Sequence, residues 1–339
     1  MQRSNHSQSW IRKWRALLVG IVMLALLLSA CGGAPPKVYR VGVLSGLDFL
    51  ADLTDGFKEG MAELGYVEGQ NIVYDVQKTN FDMAAYKRIL QKFVADKVDL
   101  ILVFPTEASL EAKAATQGTN IPVVFSFSFV EDMGLVDSVR EPGGNMTGVR
   151  YPGTDVALKR FEIMRQLAPQ AKRVWMPYQR GYPSVPSQMA VLRPVAAAAG
   201  VTLIEAPADN AADLDADLKT RTQAGGSSVD AILTLAEPLA VAPDAFAVIG
   251  KFAYEHKLPI GGTSITQGDY ASVFGVNVFT RGSGKQAALL ADRIFKGTPA
   301  GTIPVVSPET YLQINYKAAQ ALGLTVPEGL LKQAYEVVR

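Results

Sequence analysis

Two patterns of apolar residues alternate along most of the chain, one typical of buried strands and the other of amphipathic helices. Residues 39–44 form a short apolar run, which favours a buried parallel strand. Between residues 52 and 64 the apolar side chains recur at helical spacing, and Gly65 stands where a left-handed helix cap is expected. Alternation of strands and helices continues to the C-terminal part. The pattern therefore predicts an α/β fold.

The remaining predicted elements fall into two similar sets, since a helix–glycine–strand joint occurs at Gly65 and again at Gly200. We expect two doubly wound parallel-sheet lobes, one from each set. In the first set the pattern predicts strands at 72–76, 100–104 and 121–125 and helices at 82–95 and 108–116. In the second set it predicts helices at 156–167, 187–199, 212–223 and 243–256 and strands at 173–176, 201–205, 231–235 and 258–261.

The first thirty residues have a different character. Basic residues between positions 12 and 15 precede an uncharged apolar run at 16–28, which is shorter than the about 20 residues of a membrane-spanning helix. This combination predicts a secretory signal peptide. Residues 28–31 (Leu-Ser-Ala-Cys) resemble the lipobox of bacterial lipoproteins, in which the cysteine is diacylated and becomes the mature N-terminus. An ordinary signal peptide with a chance cysteine is the alternative.

These features predict an exported body that is held on the periplasmic or cell-surface side of a bacterial membrane by a lipid on Cys31. Residues 1–30 are then the signal peptide and residues 31–37 a short tether. Without the four basic residues of the signal peptide, the chain has 29 basic and 32 acidic residues, a net charge of −3. No later segment reaches 18 continuous apolar residues, so we expect no further membrane span.

The amino-acid composition argues against several classes of function. With 339 residues, 48% of them hydrophobic, the chain can bury two domain cores. A formal net charge of +1 argues against nucleic-acid binding, which normally requires a basic surplus. One Cys and two His disfavour a disulfide framework, a metal site and a histidine-based triad. We therefore expect no catalytic residues, no metal, no cofactor and no enzymatic activity.

Several stretches carry a resemblance to one family. They are 56–66 (Gly-Phe-Lys-Glu-Gly-Met-Ala-Glu-Leu-Gly-Tyr), 95–101 (Ala-Asp-Lys-Val-Asp-Leu-Ile), 121–126 (Ile-Pro-Val-Val-Phe-Ser), 142–149 (Pro-Gly-Gly-Asn-Met-Thr-Gly-Val), 274–277 (Phe-Gly-Val-Asn) and 321–327 (Ala-Leu-Gly-Leu-Thr-Val-Pro). In order and spacing they resemble bacterial extracytoplasmic substrate-binding lipoproteins of ABC transporters. The resemblance is to relatives of the tryptophan/aromatic amino acid binding component, which have a type I periplasmic-binding-protein fold.

The resemblance implies two lobes that clamp a small ligand, joined by three crossover strands near 147–151, 274–279 and 303–307. It also implies delivery of the ligand to an ABC permease, with the ligand an amino acid or a related, possibly aromatic, carboxylate. We expect a monomer. The expected N-terminal lobe comprises residues 38–148 plus 278–304, and the expected C-terminal lobe residues 149–277 plus 305–339.

Two expected ligand-facing loops depart from the family pattern. Ala236-Glu237-Pro238 replaces the usual Thr-Asp-Asn turn, and residues 129–132 replace a Thr-Asp-Pro sequence. The exact substrate therefore does not transfer from the family.

Ligands of open α/β sheets bind beyond the carboxyl ends of the strands, and this rule selects the candidate site residues. Hydroxyls at helix N-termini suit a carboxylate, although they also serve as ordinary helix caps. Aromatic rings can enclose a flat ligand, and carboxylates can receive an ammonium group or be simply solvated. Among the aromatic residues, Phe104 and Phe274 are expected in the lobe cores. The predicted ligand-binding residues are Ser45, Phe49, Thr106, Glu107, Ser126, Phe129, Asp132, Tyr178, Tyr182, Glu237, Thr263 and Asn277.

Two alternatives to transport stay open at this point. A ligand-sensing lipoprotein that signals to a membrane sensor kinase would have the same two lobes. An exported α/β hydrolase would need a nucleophile or acid–base constellation, and the chain has no such signature near His256.

Overall fold

The computed structural model describes residues 37–223, 226–263, 265–267 and 269–339. The predicted signal peptide and Cys31 lie outside the described residues. Within them, none of the helices combines the length and apolarity needed to cross a membrane.

Strands and helices alternate in chain order through both halves of the molecule. The strands are β1 (Tyr39–Ser45), β2 (Ile72–Lys78), β3 (Leu100–Phe104), β4 (Val123–Ser128), β5 (Met146–Arg150), β6 (Arg173–Gln179), β7 (Thr202–Ala208), β8 (Thr222–Gln223), β9 (Gly226–Ser227), β10 (Ala231–Leu233), β11 (Ile260–Gly262), β12 (Thr266–Gln267), β13 (Tyr270–Ala271), β14 (Phe274–Val278), β15 (Thr310–Asn315) and β16 (Glu336–Val338). The α-helices are α1 (Ala51–Glu63), α2 (Met83–Ala95), α3 (Thr106–Ala115), α4 (Gly153–Leu167), α5 (Val185–Ala198), α6 (Ala211–Thr220), α7 (Pro238–Val241), α8 (Pro243–His256), α9 (Thr280–Phe295), α10 (Tyr316–Ala321) and α11 (Glu328–Gln333), and 3₁₀-helices span Asp48–Leu50 and Ala300–Thr302.

The first lobe is built on a five-stranded parallel sheet with the order β2-β1-β3-β4-β5. Successive residues of β1 point to opposite faces, so Val43 joins one core cluster and Leu44 the other. Helices α1 and α9 cover the first of these faces and α2 and α3 the second. Glycines allow α1 and α9 to pack closely, since a Cβ on Gly56 would lie 2.0 Å from the carbonyl oxygen of Arg281.

The second lobe is built on a seven-stranded sheet with the order β16-β15-β14-β11-β10-β6-β7. Its pairs are parallel except that β15 runs antiparallel to β14. The chain leaves this sheet after β14 and returns after α9 from the first lobe, which explains the reversed direction of β15. The predicted class of two doubly wound lobes is confirmed, with this one antiparallel pair as the exception.

Three connections join the two lobes. They follow β5, follow β14 and precede β15. The first and third lie side by side, because the Val306 amide donates to the Gly148 carbonyl at 3.0 Å and the Arg150 amide donates to the Val306 carbonyl at 2.9 Å. We call the three connections together the hinge, since hinges of two-lobed proteins are formed by a few connecting residues of this kind.

The predicted elements lie within three residues of their expected bounds, and two of those that end earlier than expected have local causes. The helix expected at 212–223 ends at Thr220, because β8 pairs with β9 in a hairpin instead. The strand expected at 231–235 ends at Leu233, and the short helix α7 follows it after a Glu237 cap. The hairpin of β12 and β13 was not predicted either.

Candidate functional site

Residues that follow the carboxyl ends of strands in both sheets meet between the two lobes, and we call this region the cleft. Glu107 lies in the first turn of α3, directly after β3, and Tyr182 follows β6 of the second lobe. The Tyr182 hydroxyl donates to Glu107 Oε1 at 2.7 Å. Two residues predicted as ligand contacts thus meet across the cleft.

Four aromatic side chains follow one another along the cleft, and we call them the aromatic row: Phe49, Phe127, Tyr151 and Phe129. The ring centroids of Phe49 and Phe127 are 6.4 Å apart in an edge contact. Those of Phe127 and Tyr151 are 4.8 Å apart, and those of Tyr151 and Phe129 are 5.1 Å apart. The row begins at Phe49, which is 64% exposed, and ends in a buried cluster.

The buried end of the aromatic row touches the second lobe. Phe129 and Tyr151 form one apolar cluster with Ala236, which follows β10, and with Val278 at the end of β14. Space here is tight, because a Cβ on Gly153 would lie 2.3 Å from Cε1 of Phe129. Lobe movement therefore has to rearrange this cluster.

A bulge in β4 explains how Phe127 enters the row. Phe125 packs into the core cluster under α2 and α3, and strict alternation would send Phe127 to the same side. The pairing of β4 with β5 shifts register between Ser126 and Ser128, and Phe127 adopts a left-handed backbone with φ of 48°. A bulge re-aims a side chain in this way, so Phe127 packs on the opposite face.

Hydroxyl groups lie at the strand ends beside the row. Ser45 Oγ, Ser126 Oγ and Thr263 Oγ1 are buried and have no hydrogen-bond partner within the described part of the chain. Buried hydroxyls normally have hydrogen-bond partners, so these groups can accept a hydrogen bond from a ligand or donate one to it. The sequence argument named all three.

Thr106 has an internal partner instead. Its hydroxyl accepts the Phe129 amide hydrogen at a donor–acceptor distance of 3.0 Å. The side chain thereby fixes the loop that carries Phe129, which is a positioning role.

The two other predicted carboxylates are placed differently from Glu107. Glu237 is buried and caps α7, since it accepts the amides of Leu239 at 2.8 Å, Ala240 at 2.6 Å and Gln179 at 3.1 Å. Burial raises the pKa of Glu237 and these amide donors oppose that shift. Asp132 is exposed in a turn with φ of 58°. Glu237 therefore acts as a helix cap, a role that the sequence argument did not consider for it, and Asp132 is a solvated surface carboxylate.

Tyr178 and Asn277 also make internal bonds. The Tyr178 hydroxyl donates to Glu205 Oε2 at 2.8 Å, and burial together with this carboxylate raises the pKa of Tyr178 to about 12. Asn277 Oδ1 accepts the Val278 amide at 2.9 Å and the Tyr151 hydroxyl at 3.4 Å. The Tyr178 side chain therefore binds a partner within the second lobe. Asn277 lies at the hinge beside the aromatic row.

The sequence argument did not identify two arginines near the hinge. Arg150 ends β5 and contacts Glu131 of the first lobe, Asp155 of α4 at 2.9 Å and the Ser307 hydroxyl at 2.7 Å. Arg160 lies on the buried face of α4 and is 1% exposed. The sequence did contain one signal for Arg160, because it is a basic residue within the apolar stripe of a predicted helix.

The described residues contain no group of three or more His, Cys, Asp or Glu side chains that could hold a metal ion. The chemistry of the cleft is thus that of aromatic rings, hydroxyls, one interlobe carboxylate and a buried guanidinium. Such a set can hold a small polar aromatic molecule by stacking and hydrogen bonds.

The chain is similar to a family model, to a curated protein and to solved structures. The model of the family described as ABC transporter substrate binding protein matches residues 41–338. Among curated proteins, the chain is similar to a tyrosine-binding protein of Clostridioides difficile (strain R20291), with 27% identity over 275 residues, 79% of this chain and 76% of the relative.

Among solved structures, the chain is similar to an ABC domain in complex with L-Trp from Streptococcus pneumonia, with a TM-score of 0.77, 24% identity and coverage of 89% of this chain and 100% of that one. It is also similar to the ligand-free, open structure of a substrate binding protein with adhesive properties from Clostridium difficile. There the TM-score is 0.71, the identity 21%, and the coverage 89% of this chain and 99% of that one. At these identities both likenesses show the fold.

Proposed function

Because the chain belongs to the ABC transporter substrate-binding proteins, as its sequence predicted, we propose that it captures an aromatic amino acid outside the cytoplasm and delivers it to an ABC permease. The observation that carries the ligand class is the aromatic row, which leads from the exposed ring of Phe49 to the hinge. The relative named for tyrosine and the neighbour bound to L-Trp support the same class.

The aromatic row supplies the apolar part of the binding energy. Burial of an aromatic side chain contributes about 1.5–3 kcal/mol relative to exposure, and a well-oriented ring pair adds about 0.5–1.5 kcal/mol. These contributions favour a ligand with a flat ring over an aliphatic amino acid of similar length. The remaining affinity and the specificity for an amino acid come from polar contacts.

Glu107 is the proposed partner of the ligand ammonium group. Its Oε1 already meets the Tyr182 hydroxyl across the cleft, so a cation placed there touches both lobes. A hydrogen bond to a charged group contributes about 1.5–3 kcal/mol, and it exists only when the lobes are closed around the ligand. Binding of this kind shifts the population from an open to a closed arrangement without chemical change of the ligand.

The unpartnered hydroxyls of Ser45, Ser126 and Thr263 are proposed to complete the polar contacts. We further propose that Cys31 carries a lipid, which holds the protein on the periplasmic or cell-surface side of a bacterial membrane, and that the protein works there as a monomer. Release of a Cys31→Ala variant from the membrane fraction tests the anchor independently of the ligand.

Isothermal titration of the purified protein with L-tyrosine, L-tryptophan and L-phenylalanine tests the ligand class, with L-leucine and L-lysine as comparators. We expect saturable binding of at least one aromatic amino acid and much weaker binding of the comparators. At a hundredfold excess over the dissociation constant, the ligand should stabilise the fold by about 2.7 kcal/mol. Binding of an aliphatic or basic amino acid in preference to all three aromatic ones would contradict the proposal.

A further inference from the structure

Arg160 is a buried cation whose hydrogen-bond partners are all uncharged. Its Nη2 donates to the Val276 carbonyl at 2.7 Å and to the Tyr151 hydroxyl at 3.2 Å, and Nε donates to the same carbonyl at 3.1 Å. Nη1 lies 3.4 Å from the Thr234 carbonyl. No carboxylate pairs with it among the residues the structure describes. Burial lowers the pKa of Arg160, yet a guanidinium stays protonated in proteins.

The position of Arg160 follows from the end of a strand. The last residue of β11 is Gly262, which pairs with Gly275, and Val276 is the next residue of β14. Thr234 likewise follows the last residue of β10. Arg160 supplies donors to the two carbonyls on either side of the point where β11 stops. These hydrogen bonds satisfy the two backbone carbonyls, but the positive charge of Arg160 stays unpaired next to the cleft.

Tyr151 connects this charge with the aromatic row. Its ring packs on Phe127 and Phe129, while its hydroxyl oxygen accepts from Arg160. The hydroxyl has a single hydrogen to donate, and the present acceptor, Asn277 Oδ1, is 3.4 Å away. A bond of that length is weak, and a carboxylate oxygen is a much stronger acceptor.

Resting on the proposed function, we propose that Arg160 is a positioning residue for the ligand carboxylate and acts through Tyr151. The guanidinium holds and polarises the Tyr151 hydroxyl, and this hydroxyl donates to the carboxylate when the ring of the ligand lies along the aromatic row. Arg160 therefore makes the cleft selective for amino acids over the corresponding amines.

Two matched ligand pairs test this assignment: L-tyrosine against tyramine, and L-tryptophan against tryptamine. Each pair differs only in the carboxylate. We expect the wild-type protein to bind the amino acid of a pair at least about tenfold more tightly than the amine, the factor for one charge-assisted hydrogen bond. In Arg160→Gln and in Tyr151→Phe this ratio should fall to about threefold or less. Arg160→Lys should restore part of it, since the charge is kept.

Arg165→Gln is the matched control, because Arg165 is exposed on the same helix and its replacement changes the net charge equally. It should keep the wild-type ratio. If Arg160→Gln weakens the amino acid and the amine by the same factor, Arg160 is merely structural and the inference is overturned.

Tyr151→Phe keeps the ring and removes only the hydroxyl. It therefore tests the role of this hydroxyl in carboxylate recognition even if Arg160→Gln does not fold. An unchanged ratio in that variant overturns the inference while wild-type binding of the amino acid leaves the proposed function intact. Failure of the wild-type protein to bind either amino acid overturns both.

Discussion

The hydroxyl of Tyr182 donates a 2.7 Å hydrogen bond to Oε1 of Glu107, and this bond joins the two lobes. Burial, followed by the nearby Glu107 carboxylate, raises the pKa of Tyr182, so the hydroxyl keeps its proton at physiological pH. A protonated phenol facing a carboxylate favours the closed arrangement. The contact is therefore a latch between the lobes, and it is also the place proposed above for a ligand ammonium group.

Loss of the latch should open the ligand-free protein. In Tyr182→Phe the hydrogen bond is absent, so we expect a larger population of open molecules and a larger radius of gyration in small-angle X-ray scattering. Tyr254→Phe is the matched control, since Tyr254 is 79% exposed on α8. Identical scattering curves for Tyr182→Phe and the wild type would refute the latch.

Phe49 should contribute to ligand affinity and little to stability. Its ring is 64% exposed, so Phe49→Ala should change the free energy of unfolding by no more than about 0.5 kcal/mol. The loss of one ring contact, about 0.5–1.5 kcal/mol, should weaken binding of L-tyrosine or L-tryptophan by roughly two- to tenfold. Tyr254→Ala, an equally drastic change at an exposed ring, should leave the titration unchanged. Equal affinities of Phe49→Ala and the wild type would remove Phe49 from the site.

The close packing of α1 and α9 should depend on glycine. A Cβ on Gly284 would lie 2.1 Å from the carbonyl oxygen of Leu53, so Gly284→Ala should force the helices apart and cost about 1–3 kcal/mol in urea unfolding. On the same helix, a Cβ on Gly282 would meet Phe279 Cβ at 3.4 Å, an ordinary contact. Gly282→Ala should thus be neutral or stabilising, and equal loss in both variants would contradict the packing account.

Alkaline pH should weaken the first lobe through Tyr86. Burial raises the pKa of Tyr86 to about 12, and its hydroxyl donates to the Gly46 carbonyl at 3.2 Å. The native state therefore holds this proton more tightly than the unfolded chain, whose tyrosines ionise near pH 10. The corresponding stability is complete below pH 10 and is lost as the pH rises towards 12.

Urea unfolding at pH 8, 10 and 11 checks this direction, with absorbance at 295 nm reporting tyrosine ionisation. In Tyr86→Phe the decline in stability between pH 10 and 11 should be shallower than in the wild type. A steeper or equal decline would show that the proton on Tyr86 is not held by the fold.

Periodicity and capping residues allowed much of the fold to be predicted. A helix was expected at 82–95, and the Asp82 side chain caps its start, since Oδ1 accepts the Ala85 amide at 3.1 Å. Gly65 and Gly200 were expected to end helices, and both have positive φ. Such signals are local, so a single sequence contains them.

The site was harder to predict because it depends on contacts between distant segments. No periodicity indicates the bulge that turns Phe127 towards the cleft, and nothing near Tyr182 points to Glu107 as its partner. Glu237 was read as a candidate ligand contact, yet its oxygens cap a helix that starts one residue later. Residue type and strand-end position can select candidate residues, but they do not show which partners the side chains contact.

A crystal structure of the wild-type protein grown with L-tyrosine or L-tryptophan tests the central claim most directly. The account predicts electron density for the ligand between the lobes, with its ring beside Phe127 and Tyr151 and its ammonium group on Glu107. Closed lobes with an aromatic amino acid bound elsewhere, or a cleft in which Phe127 and Phe129 still fill the ring position at saturating ligand, would contradict it.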